Sequence, residues 1–184
     1  MAFSIAAITA NAQFFASAVF KQGAGNTAPN IGFDNNYSYF VGANGGYYFL
    51  KEHIPVSIGL EYGVIDNSND IISNKLEGFR IPLKAGYTHY FNKFSTFVNV
   101  GGYLAFNTHE KIKNSRDVKS HFGILAEIGG GYNIYKNLFI NVSAEFNRPV
   151  ESNMKYSDNS DPIRSRYFIG GNIGLVWKFK TVAE

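Results

Sequence analysis

From Gln13 onward the sequence alternates apolar residues with polar or small ones at period two, and the connections between the alternating runs themselves alternate in length. Period two belongs to a strand with two unlike faces, and no long window carries the 3.6-residue spacing of an amphipathic helix. The runs fall at 13–22, 36–50, 54–66, 76–91, 94–108, 120–135, 138–151 and 165–180. Lys51-Glu52-His53, Asn92-Lys93 and Lys136-Asn137 read as tight hairpin turns. The connections 23–35, 67–75, 109–119 and 152–164 are long and carry Gly, Asn, Ser, Asp and Lys, the residues of solvated loops. Short turns on one side, long loops on the other, an even strand number and both ends on the short-turn side are what a membrane-crossing barrel requires. The predicted fold class is all-β, an eight-stranded antiparallel transmembrane up-and-down β-barrel. A soluble β-sandwich or lipocalin-like barrel also holds eight strands, but neither demands this two-sided alternation of loop length.

The two faces differ in kind. In the last run Tyr167, Ile169, Gly171, Ile173, Leu175, Trp177 and Phe179 oppose Phe168, Gly170, Asn172, Gly174, Val176, Lys178 and Lys180. In the fourth, Phe79, Ile81, Leu83, Ala85, Tyr87, His89 and Phe91 oppose Arg80, Pro82, Lys84, Gly86, Thr88 and Tyr90. An eight-stranded barrel has an interior just wide enough for side chains to fill. The small and polar set suits that space, which leaves the apolar set facing outward. Aromatics gather at the run ends: Tyr37, Phe79, Phe106 and Phe122 near the long loops, Tyr47, Phe91, Phe94 and Trp177 near the short turns. Two such girdles are expected where a barrel wall meets the two membrane–water interfaces.

Composition agrees. The chain has 184 residues, 17 Phe, 12 Tyr, 19 Gly and no cysteine, so disulfides and thiolate metal sites are excluded. Its mean hydropathy of −0.13 is compatible with a barrel, because only alternate strand residues face lipid. A formal charge of +3 gives no ground for a nucleic-acid partner. The apolar run Phe3–Thr9 followed by Ala10-Asn11-Ala12 reads as the remnant of a signal peptide over 1–12, cleaved after Ala12. The barrel then spans 13–180, with 181–184 a short periplasmic tail.

Two stretches carry a family resemblance. Phe79-Arg80-Ile81-Pro82-Leu83-Lys84-Ala85-Gly86-Tyr87 with Phe97-Val98-Asn99-Val100-Gly101-Gly102-Tyr103 resembles the paired central strands of PorT-like barrels. Asn172-Ile173-Gly174-Leu175-Val176-Trp177-Lys178-Phe179 resembles the signal read by the barrel-assembly machinery, with Asn172, Gly174, Trp177 and Phe179 at its specified positions. The chain thus looks like the small outer-membrane β-barrels, the outer membrane protein A-type and PorT-like group. The resemblance implies a bacterial outer-membrane location, lipid and the assembly machinery as partners, and no single function, since one fold hosts many.

Glu61, Arg80, Lys84, Glu127 and Glu145, with Asn44 and Asn172, fall on the inward face; all but Arg80, which stands one or two layers higher, lie at similar heights above the short turns and form a predicted polar layer across the lumen. Charges there must be paired or solvated. Matching heights predict that Glu61 meets Lys84 and that Arg80 reaches a second carboxylate, three acids facing two bases. The reading is an ion-pair plug, with a gate or proton path as the alternative. His109 and His121 flank an outer loop near Glu110, Asp117 and Ser120, the sparse ingredients of a rim hydrolase. Asp158, Asn159 and Asp161 offer calcium-type oxygens without a recognised calcium-loop spacing. No cofactor, metal or catalytic residue is expected. The leading reading is a non-enzymatic barrel with interacting surface loops, followed by a narrow pore or secretion accessory, a rim hydrolase and a soluble lipocalin-like binder.

Overall fold

A computed structural model describes residues 13–26, 37–50, 52–66, 74–112, 115–118, 120–150, 154–156 and 167–179. In chain order the strands are β1 (Gln13–Asn26), β2 (Tyr37–Phe49), β3 (Ile54–Asp66), β4 (Asn74–Phe91), β5 (Phe94–Ile112), β6 (Ser115–Val118), β7 (His121–Tyr135), β8 (Leu138–Pro149), β9 (Met154–Tyr156) and β10 (Tyr167–Lys178). Eight of them close into one antiparallel barrel in the order β1-β10-β8-β7-β5-β4-β3-β2. The expected signal remnant over 1–12 and tail over 181–184 lie outside the described residues.

Two departures from the sequence reading concern the long-loop side. Strands β1 and β5 run on to Asn26 and Ile112, into segments expected to be loops. Gln22-Gly23-Ala24-Gly25-Asn26 has no apolar alternation, so its strand character comes from pairing alone: it lies opposite Gly171 to Tyr167 of β10. The short strands β6 and β9 pair only with each other, within two connections expected to be irregular.

The tight turns take backbone conformations that match the right-handed twist of the flanking strands. Asn92 has φ of 59°, a left-handed value that its short polar side chain tolerates. Lys136 has φ of 46°, and its carbonyl accepts a 2.7 Å hydrogen bond from Asn133 Nδ2. Proline is unusual inside a strand, and a closed barrel leaves no edge to hide it. Pro82 is buried in the lumen wall, and the β3–β4 register has a gap between Ile58↔Leu83 and Glu61↔Arg80. The missing N–H of Pro82 falls in that gap, beside Gly59.

The wall is inverted relative to a soluble barrel. Leu83, Ile128, Val142 and Ile173 are 49–63% exposed on the outside, while Lys21, Glu61, Arg80 and Glu145 are at most 3% exposed on the inside. Exposed aromatics ring both ends: Tyr37, Phe79, Phe106 and Phe122 above, Tyr47, Phe91, Phe94 and Trp177 below. A continuous apolar belt of this kind is stable only against hydrocarbon, and closure satisfies the backbone groups that lipid cannot. The interior is not purely polar. Phe15, Phe40, Phe97, Tyr103 and Phe168 also point inward and are buried. Glycine makes room for two of these rings: a Cβ at Gly63 would lie 2.0 Å from the Phe40 ring, and one at Gly123 would lie 2.2 Å from the Tyr103 ring.

Candidate functional site: the polar network of the lumen

The network begins with Lys21, which the sequence reading did not include. Its ammonium lies 2.8 Å from Glu61 Oε1 and 2.5 Å from Glu145 Oε2. Arg80 bridges the same two carboxylates, its Nε donating to Glu61 Oε2 and its Nη2 to Glu145 Oε1 at 2.7 Å. Four strands thus contribute one closed ring of two cations and two anions. Asn147 Nδ2 adds a 3.1 Å bond to Glu145 Oε1, and the Arg80 guanidinium lies 4.1 Å from the centroid of the Phe40 ring. All four charges are almost fully buried, so the alternating arrangement offsets a desolvation cost that no lone charge would survive.

Below this ring sits a second cluster centred on Glu127. Lys84 Nζ donates to Glu127 Oε2 at 3.0 Å, and Asn99 Nδ2 to the same oxygen at 3.1 Å. Glu127 Oε1 accepts from Ser143 Oγ at 2.7 Å and from Asn172 Nδ2 at 3.2 Å. Asn44 joins neither cluster directly; its Nδ2 donates to Ser17 Oγ at 3.3 Å.

Three expectations are therefore corrected. The charges form two tiers, not one layer. Glu61 does not meet Lys84: in the β3–β4 register Glu61 stands opposite Arg80, and Lys84 stands opposite Ser57, two repeats of the pleat lower. Counting residues from the turn ignored the stagger that barrel closure imposes. Finally, three acids face three bases, because Lys21 joins Arg80 and Lys84 against Glu61, Glu127 and Glu145. The first run read from the sequence ends at residue 22, which leaves Lys21 beside a long connection. The β1 ladder runs to Asn26, so Lys21 is deep in the barrel.

The four residues of the expected assembly signal divide between the two faces. Asn172 points inward and binds Glu127 and Ser143. Gly174 lines the lumen, while Trp177 and Phe179 face outward with ring centroids 6.5 Å apart. At the long-loop rim His121 is half-buried and edge-on to Tyr103, ring centroids 5.9 Å apart. The side chains of His109, Glu110 and Asp117, and the residues Asp158, Asn159 and Asp161, lie outside the described part. His53, in the first turn, places Nδ1 2.9 Å from the Thr88 carbonyl oxygen and stacks on Tyr87, and His89 is exposed on the outer wall. Among the described residues no group of three or more His, Asp or Glu side chains is arranged to hold a metal.

No protein-family model matches the chain, and no curated protein matches its sequence. Solved structures do. Neisserial surface protein A superposes with a TM-score of 0.61 at 13% identity, over 90% of this chain and 97% of that one. The N-terminal β-barrel domain of Pseudomonas aeruginosa OprF gives 0.55 at 14% identity, over 91% and 98%. The outer membrane enzyme PagL gives 0.59 at 8% identity, over 86% and 97%. These likenesses establish a shared fold, the small eight-stranded barrel of outer-membrane proteins. They include an enzyme, so the fold by itself does not decide between catalysis and anchoring.

Proposed function

We propose that this chain is a non-enzymatic integral protein of a bacterial outer membrane, a closed wall that anchors surface loops and carries no steady ion current. The observation that supports it is the alternating ring of Lys21, Glu61, Arg80 and Glu145, four buried side chains from four strands that pair with one another across the lumen. The second tier around Glu127 repeats the obstruction lower in the lumen. Purified protein in a planar bilayer should show no steady conductance above the bare membrane. A stable open level would overturn the closed-lumen reading in favour of a narrow pore.

Two finer readings belong to the same proposal. The paired stretches 79–87 and 97–103 favour kinship with PorT-like barrels. Trp177 and Phe179, outward-facing at the last strand's end, suit recognition by the barrel-assembly machinery. Replacing both by alanine should slow insertion into vesicles that contain that machinery more than it slows spontaneous folding in detergent. Equal slowing in the two settings would assign these rings to the interfacial girdle alone. The rim-hydrolase reading requires an activity that His121→Ala abolishes.

A further inference from the structure

Below the Glu127 tier the lumen is not filled. A cavity of about 90 Å³ separates that tier from the short-turn end, lined among others by Ser17, Asn44, Ser57, Thr88, Ser95 and Asn141. A water needs on the order of 10–15 Å³ of such space, so this one has room for several. Asn44 Oδ1 and Asn172 Oδ1, on side chains more than nine-tenths buried, border it without a protein hydrogen-bond partner. Two unpartnered acceptors and a hydroxyl-rich wall make the cavity a hydrated chamber.

Lys178 lines the short-turn end of this chamber together with Tyr48, Tyr90 and Phe139. Lys178 turns inward at the end of β10, and its ammonium lies 4.6, 4.2 and 4.7 Å from the ring centroids of Tyr48, Tyr90 and Phe139. It donates to Tyr90 Oη at 2.7 Å and to Glu52 Oε2 at 2.6 Å. The Lys178 side chain is 6% exposed and that of Glu52 is 41% exposed, so the ammonium stands at the boundary between chamber and mouth. Three aromatic faces around one cation, closed by a carboxylate, are the arrangement that recognises ammonium groups generally.

We propose that Lys178 is a stopper: a tethered ammonium seated in an aromatic cage, sealing a hydrated chamber from the short-turn mouth of the barrel independently of the two ion-pair tiers above. The cage is a site for small alkylammonium cations, which Lys178 occupies in cis. This deepens the closed-lumen reading by adding a second seal of different chemistry.

The chain has no cysteine, so a single introduced thiol reports on the chamber. Ser57→Cys, which lines the cavity and belongs to neither ion-pair tier, is treated with a small methanethiosulfonate reagent in folded, detergent-solubilised protein. Thr88→Cys serves in the same way if Ser57→Cys does not fold. Modification should be slow with Lys178 in place, equally slow with Lys178→Arg, and about tenfold or more faster with Lys178→Ala. Tetramethylammonium should slow the Lys178→Ala protein again by filling the vacated cage, whereas sodium at equal ionic strength should not. Equal rates with and without Lys178 overturn the stopper, and acceleration that tetramethylammonium leaves untouched overturns the cage. Thiol modification does not depend on ion flow, so a conducting barrel would defeat the closed-lumen reading and leave this result to stand or fall separately.

Discussion

Lys21 holds together two carboxylates that would otherwise share a single guanidinium. Lys21→Met leaves Glu61 and Glu145 with only Arg80, and neither carboxylate is near water. Removing one member of a buried ion pair costs about 3–5 kcal/mol, and here two anions are affected at once. Lys21→Met should therefore be more damaging than Lys84→Met, because Glu127 retains Asn99, Ser143 and Asn172 when Lys84 is lost. Urea unfolding in lipid vesicles measures both. The same assay separates the observed pairing from the one that residue counting suggests. A double-mutant cycle between Lys84→Met and Glu127→Gln should show a coupling of about 0.5–3 kcal/mol, larger than the cycle between Lys84→Met and Glu61→Gln. A larger coupling to Glu61 would contradict the two-tier arrangement.

At the scale of the strand, the alternation of faces was legible and the depth of each residue was not. Leu83 and Ile173 sit on the outer face that period two assigns them, each about half exposed to the hydrocarbon. Leu83→Arg and Ile173→Arg should each lose about 2–4 kcal/mol of folding free energy in lipid, whereas Tyr135→Arg, beside a short turn, should lose about 1 kcal/mol or less. A flat response with depth would mean that the belt does not lie in hydrocarbon. What sequence could not supply was the stagger between strands. Face follows from parity within one strand, but height in the lumen follows from how far each strand slides against its neighbour on closure. That is why Glu61 and Lys84 looked level. Phe40 and Tyr103 were hidden for a related reason: they fit inside only because Gly63 and Gly123 stand across from them on the next strand. Phe40 is also held from two other sides, by the Arg80 guanidinium and by an edge-on contact to Phe168 at 5.2 Å. It cannot yield to a new methyl group, so Gly63→Ala should cost about 1–3 kcal/mol in the same unfolding assay. A neutral Gly63→Ala would show that the ring has room to move.

For the whole molecule the decisive feature is the seam where the first and last barrel strands meet. An open sheet in lipid would leave two edges of unpaired backbone groups, so spanning the bilayer requires the chain's two ends to find each other. Strand β1 does so along its length, from Phe15↔Lys178 to Asn26↔Tyr167, and a backbone bond from Phe179 N to Phe14 O of 2.9 Å finishes the seam at the short-turn end. The seam also brings Lys21 to Glu145 across β10 and sets Lys178 at the short-turn end of the chamber, so closure and lumen chemistry form together. Ala18 and Leu175 face each other across the seam on the outer wall. Directly opposed residues of an antiparallel pair lie within the Cα separation that a disulfide accepts. Ala18→Cys with Leu175→Cys should therefore oxidise within one molecule once the protein is folded in lipid, and should resist unfolding by about 2–4 kcal/mol more than the reduced form. Ala18→Cys with Ile140→Cys is the control, since Ile140 is the β8 partner of Leu175 and lies two strand spacings from Ala18, about 9–10 Å. Non-reducing gel mobility distinguishes the two. A cross-link in the first pair and none in the second is the result that closure in this register demands; equal yields would mean that β1 and β10 are not neighbours.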